Sequence, residues 1–120
     1  MKNGFSFELY ETIFTNCFIH NSRYQNGNLQ LCLFGIDPTT NETAHFADIT
    51  LNQESKVLRK NEIVVDCKFK PTLIPQLLNL GIIKKQTGIC PVDNTIYPIY
   101  TIDFANIQKN QYCIRELFVA

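Results

Sequence analysis

The stretch Tyr24-Gln25-Asn26-Gly27-Asn28-Leu29-Gln30-Leu31-Cys32-Leu33 constrains this chain more than any other. Asn and Gly both accept positive φ, so Asn26-Gly27 predicts a tight type I′ hairpin turn. Leu29, Leu31 and Leu33 then alternate with Gln30 and Cys32, the period of a half-buried strand. A twisted antiparallel sheet follows from these ten residues.

The flanking segments extend that sheet. Residues 5–19 are rich in Phe, Ile, Thr and Tyr and predict a long first strand, bent or broken near Glu11-Thr12. Within it Phe5, Phe7, Leu9, Ile13, Cys17 and Ile19 share one parity, and Phe14 and Phe18 the other. The turn formers from Gly35 to Glu42 predict a second hairpin loop. His45, Ala47, Ile49 and Leu51 alternate with Phe46, Asp48 and Thr50, which adds a third meander strand.

Beyond a polar surface loop at 52–60, Ile63-Val64-Val65 predicts a short strand. With Thr72 as N-cap, Pro75 falls at the third helical position, where a missing donor costs little. Gly81 stands where a helix ends in a left-handed residue. A two-turn helix is expected, its apolar face made by Leu73, Leu77 and Leu80 and widened by Ile74 and Leu78. Residues 82–88 read as a strand, 88–94 as a loop, and 95–102 as an extended aromatic segment. Pro98 cannot donate to a ladder, so that last segment is expected at a sheet edge or bulge. Asp103 caps a short helical turn, and 112–119 reads as a last strand or docked tail. The expectation is a single α+β domain over 1–120: a curved, mainly antiparallel meander with one short helix packed on one face. Leu29, Leu31, Leu33, Ile49, Leu51, Leu77 and Leu78 are its expected core.

Composition narrows the class. No apolar run approaches the ~20 residues of a membrane span. Met1-Lys2-Asn3-Gly4-Phe5 lacks the apolar core of a signal peptide, so the cytoplasm is the expected compartment. Five cysteines, an odd number with no C-x-x-C pair, read as buried reduced thiols. A metal site would require Cys17, His20, Cys32 and perhaps His45 to converge. Cys17 and His20 point to opposite faces of a regular strand, so neither metal nor cofactor is expected. Cys32 and His45 lie on neighbouring strands and form a formal Cys–His pair, but nothing near them in sequence activates a nucleophile. The carboxylates do not cluster, and the five glycines are isolated, so no phosphate loop is present. A non-enzymatic protein is expected.

The net charge is zero, but it is unevenly spread. Residues 1–55 carry two basic and six acidic side chains, residues 56–120 nine basic and five acidic. The excess lies in Lys56, Arg59, Lys60, Lys68, Lys70, Lys84 and Lys85, which with Tyr97 and Tyr100 are the candidate partner-binding residues. A solvated face explains such a run. A surface that docks on an acidic partner is the sharper reading. Zero net charge disfavours general nucleic-acid binding.

Several segments together resemble a family of small, functionally uncharacterised proteins carried on conjugative transposons, plasmids and prophages of Firmicutes and related gut bacteria. They are Tyr24, Asn26-Gly27 and Leu29-Gln30-Leu31; Ala47 to Leu51; Asn61-Glu62 through Asp66; Leu80-Gly81; Thr87-Gly88; and Tyr97-Pro98-Ile99-Tyr100. The resemblance covers about two-thirds of the chain and implies a mobile-element accessory protein. The expected role is stoichiometric binding of a host protein, such as a defence nuclease, as anti-CRISPR inhibitors do. The alternative is an accessory protein that binds single-stranded nucleic acid through the Lys-rich middle and the Tyr97–Phe104 aromatics. Edge strands left by Pro98 and the C-terminal segment offer a route to a homodimer or to partner capture.

Overall fold

The computed structural model describes residues 4–37 and 39–109. Strand β2 (Thr12–Arg23) pairs with β3 (Leu29–Ile36) around the Asn-Gly turn. The turn differs from the expected type I′. Gly27 N donates to Tyr24 O and Tyr24 N to Asn28 O, both at 2.9 Å, and Gly27 alone of the three loop residues has positive φ, at 89°. This is a three-residue loop, a type I turn closed by a glycine bulge. Asn26 is therefore used for its side chain rather than its backbone. Its amide donates to the carbonyls of Gln53 and Glu54. Asn28 donates to Lys56 O at 2.7 Å and accepts from Leu58 N at 2.9 Å. The two asparagines staple the 52–58 loop onto the hairpin.

Upstream, the long first segment is two strands. β1 (Phe5–Leu9) folds back on β2 through Tyr10 and Glu11, whose φ values are 52° and 62°. Asn16, at φ 55°, inserts a bulge, so Phe5 faces Cys17 while Phe7 faces Phe14. Phe5, Phe7, Leu9, Cys17 and Ile19 share the core face as their parity predicts, but between turn and bulge the faces are swapped: Ile13 is 67% exposed, and Phe14 packs on the core. Downstream, β3 pairs with β4 (Thr43–Asp48) around a loop in which Asp37 Oδ1 accepts from Thr39 N and Thr40 N. Phe46 is a second bulge, since Ala47 faces Leu33 but His45 faces Phe34. Its ring turns inward onto Phe14, 4.5 Å between centroids, and lies over Gly35, where a Cβ would collide with it.

The second sheet has the order β5–β7–β6, with β5 at Glu62–Val64, β6 at Ile83–Val92 and β7 at Thr95–Ile102. Two expectations fail here. Residues 88–92 belong to β6 rather than to a loop, because Asp93-Asn94 alone makes the turn, with Asp93 at φ 52°. β7 is the central strand, not an edge. Pro98 fits there because its carbonyl accepts from Val65 N at 3.0 Å on the β5 side, just past the last paired residue of β5. The donor that Pro98 lacks would have pointed to that same side, where the ladder ends. The two sheets meet at a bridge between Thr50 and Val65, flanked by Leu51 N to Val64 O and Asp66 N to Ile49 O.

Helix α1 (Leu73–Asn79) has Thr72 at its N-cap and Pro75 at its third position, as expected. It ends in a Schellman motif: Ile82 N donates to Leu77 O and Gly81 N to Leu78 O, both at 3.0 Å, with Gly81 at φ 73°. Leu77 and Ile82, the pair that such a motif brings together, are both fully buried. A second helix, α2 (104–109), starts at Asp103, whose Oδ1 accepts from Ala105 N and Asn106 N. The main core joins Leu31, Leu33 and Ile49 to Ile63, Leu73 and Leu77, so both sheets and α1 share it. Two core expectations need correcting. Leu78 is 42% exposed, because α1 is too short and shallow to bury both flanks of its stripe. Leu51 packs in a second cluster with Val64, Cys90, Tyr97 and Ile99. The expected C-terminal strand and Cys113 lie outside the described residues.

Candidate functional site

The nine candidate partner-binding residues do not form one surface. Lys70 is buried, its Nζ donating at 3.1 Å both to Asp66 Oδ2 and to the Asp48 carbonyl. It holds the end of β4 to the loop after β5 and is not available to a partner. Tyr97 is buried in the second cluster. Tyr100 is half-buried against the main core, on the opposite face of β7. Strand alternation thus parts the two tyrosines, and they do not make a stacking platform. Lys68 is exposed beside Phe69, its Nζ 5.3 Å from that ring, and the ring itself is 82% exposed.

The remaining basic residues lie on the second sheet and the stapled loop. Lys56, Arg59 and Lys60 sit on 52–61 or at its end, and Lys84 and Lys85 open β6. Glu62 Oε2 accepts from Thr87 Oγ1 at 2.6 Å, and Glu62 Oε1 accepts from Arg59 N at 3.1 Å. The Thr87 hydroxyl, with Arg59 and Lys56 nearby, holds the Glu62 carboxyl below its usual range. Lys84 pairs with Asp103 at 3.1 Å. Lys84 and Lys85 lie on β6, a ten-residue strand that among the described residues pairs with β7 alone, whereas Lys56, Arg59 and Lys60 lead into β5 on the other side of β7. Ile89 and Ile96 stand exposed on its hairpin, at 52% and 64%.

On the outer face of the four-stranded sheet a separate cluster forms. Cys32 and Asp48 are cross-strand partners, and Cys32 Sγ lies 3.6 Å from Asp48 Oδ1. The same Oδ1 is 2.9 Å from His45 Nε2. The Phe46 bulge brings His45 to the face of Asp48, which regular alternation would forbid. This is why sequence reasoning paired Cys32 with His45 but missed Asp48. Burial, and then the Asp48 carboxylate, push the Cys32 thiol up to about 11. A thiol held protonated and pointed at a carboxylate is a poor nucleophile. Cys17 faces the core, whereas His20, the cross-strand partner of Cys32, lies on the outer face with its ring 5.3 Å from that of Phe34. The C-x-x-H pair is thus split between faces as expected.

All four described cysteines have free thiols. Among the described residues no helix is long and apolar enough to cross a membrane. No family profile matches the chain, and no curated protein or solved structure is significantly similar to it.

Proposed function

We propose that the protein acts by stoichiometric binding of a protein partner, with β6 as the docking edge. The observation that carries this reading is β6 itself: ten residues long, paired on one side among the described residues, basic at its start and apolar at its hairpin end. An exposed edge strand binds an extended segment through main-chain hydrogen bonds, while flanking side chains select it. Lys84 and Lys85, at the start of β6, favour a segment flanked by acidic residues. The resemblance to mobile-element proteins suggests a host protein in the bacterial cytoplasm, and a defence nuclease is the partner class we favour. Under that reading the protein occludes the nuclease much as anti-CRISPR inhibitors do. The nucleic-acid alternative is weakened by the burial of Tyr97.

The test is titration of a purified defence nuclease of the host with the full chain. A one-to-one complex and loss of cleavage are expected. Changing Lys84 and Lys85 together to Glu should slow association, and Ile89→Lys should speed dissociation. Sub-micromolar, salt-sensitive binding to an arbitrary oligonucleotide, with no complex, would sink the proposal in favour of the alternative.

A further inference from the structure

We propose that Cys32, His45 and Asp48 form a binding site for one thiophilic divalent cation, zinc foremost, with a coordination position left open. Sγ of Cys32, a ring nitrogen of His45 and a carboxylate oxygen of Asp48 all lie within 4.8 Å of one another. A tetrahedral zinc with bonds of about 2.0–2.3 Å sets its ligands roughly 3.3–3.7 Å apart. The sulfur–oxygen separation of 3.6 Å already meets that. The nitrogen–oxygen separation of 2.9 Å must open slightly. Both side chains are about half exposed, at 46% and 55%, so a small rotation of either suffices.

The chemistry of the set is selective. Thiolate, imidazole and carboxylate together suit zinc better than magnesium or calcium, which prefer oxygen alone. With no cation present, the thiol and the imidazole converge on one carboxylate oxygen. A cation placed among the three atoms replaces those contacts: the thiol releases its proton to solvent, and the imidazole moves its own to Nδ1. Two features of the fold preorganise the group. The Phe46 bulge sets His45 on the face of Asp48, and Lys70 Nζ holds the Asp48 carbonyl at 3.1 Å. Three protein ligands leave a fourth position for water or for a donor from a partner, as in zinc sites that do chemistry or bridge chains.

The test is cobalt(II) titration of the reduced full chain at neutral pH, followed by zinc. One equivalent of cobalt should give intense visible bands of tetrahedral coordination and a near-ultraviolet sulfur-to-cobalt charge-transfer band. One equivalent of zinc should abolish both. Cys32→Ser should remove the charge-transfer band, while His45→Gln and Asp48→Asn should each weaken binding at least ~10-fold. The last two change exposed side chains, so unchanged melting would show that the fold is intact even if Cys32→Ser does not fold. The proposal is overturned by weak octahedral bands alone, by no bands at several equivalents, or by a charge-transfer band that survives in Cys32→Ser.

Discussion

Thr50 and Val65 face each other across an antiparallel bridge, and this pair, with the flanking Leu51–Val64 and Asp66–Ile49 backbone hydrogen bonds, joins the two sheets. Thr50 is 3% exposed, and its hydroxyl accepts from Leu31 N at 3.1 Å and lies 2.9 Å from Tyr24 Oη. One buried oxygen therefore ties the bridge residue back to the hairpin. Thr50→Val keeps the shape but leaves the Leu31 amide without its acceptor. A loss of about 1–3 kcal/mol is expected in urea unfolding. Tyr24→Phe should cost less, and the double variant should fall short of the sum because both changes act on the same hydrogen bond.

Leu77 and Leu78 are adjacent, yet they should respond differently. Leu77 is fully enclosed, and Leu77→Ala should cost about 2–5 kcal/mol, as should Leu31→Ala. Leu78→Ala should cost under about 1 kcal/mol, since much of that side chain is already in water. Equal melting shifts for the two helix variants would contradict the packing of α1.

The β1–β2 turn uses residues ill suited to it. Tyr10 and Glu11 both hold positive φ, a conformation that L side chains with Cβ resist. Replacing them by Asn-Gly should raise stability by about 1–2 kcal/mol, read as a higher denaturation midpoint with an unchanged m-value.

The thiols should differ in reactivity. Cys67 is half-buried, while Cys17, Cys32 and Cys90 are buried, so in a Cys113→Ser background a thiol reagent should modify Cys67 first. Burial pushes the Cys17 thiol from 9.0 up to about 12. Its folded-state value lies above the unfolded one, so the folded state retains a proton that the unfolded chain loses. The stability from this group is full below pH 9 and is lost as pH rises from there towards 12. The alkaline decline of the melting temperature should therefore be shallower in Cys17→Ala than in the wild type.

Much of the fold could be read from local signals. The Leu29–Leu33 alternation, the Thr72 and Gly81 helix bounds and the Asp103 cap each express a preference that the sheet does not oppose. What could not be read lies where tertiary contacts overrule the local pattern. The break near Glu11-Thr12 was legible, but the positive φ of Tyr10 and Glu11 was not, and the left-handed residue at Asn16 swaps the faces of the short stretch between turn and bulge, turning Ile13 out and Phe14 in. Pro98 looks like an edge residue, yet it is central because β5 stops beside it. The candidate surface fared similarly. Lys84 and Lys85 are exposed as a charge run suggests, but Lys70 finds Asp66 four residues away and is drawn inside. Asp48 escaped notice because its nearness to His45 depends on a one-residue bulge.

The side-chain amide of Gln76 imitates a neighbouring strand. It accepts from Glu8 N and donates to Glu8 O, both at 2.7 Å, while Thr72 Oγ1 adds a third bond to that carbonyl at 2.6 Å. The outer side of β1 is thus occupied at Glu8 by the helix, whereas β6 at the far end of the second sheet has no such guard among the described residues. Strand addition to the four-stranded sheet is thereby blocked on its β1 side. Two copies joined through β6 would cover that edge in both and halt growth there as a pair, and a captured foreign strand would do the same. A glutamine side chain thus keeps one face of the molecule from recruiting further strands.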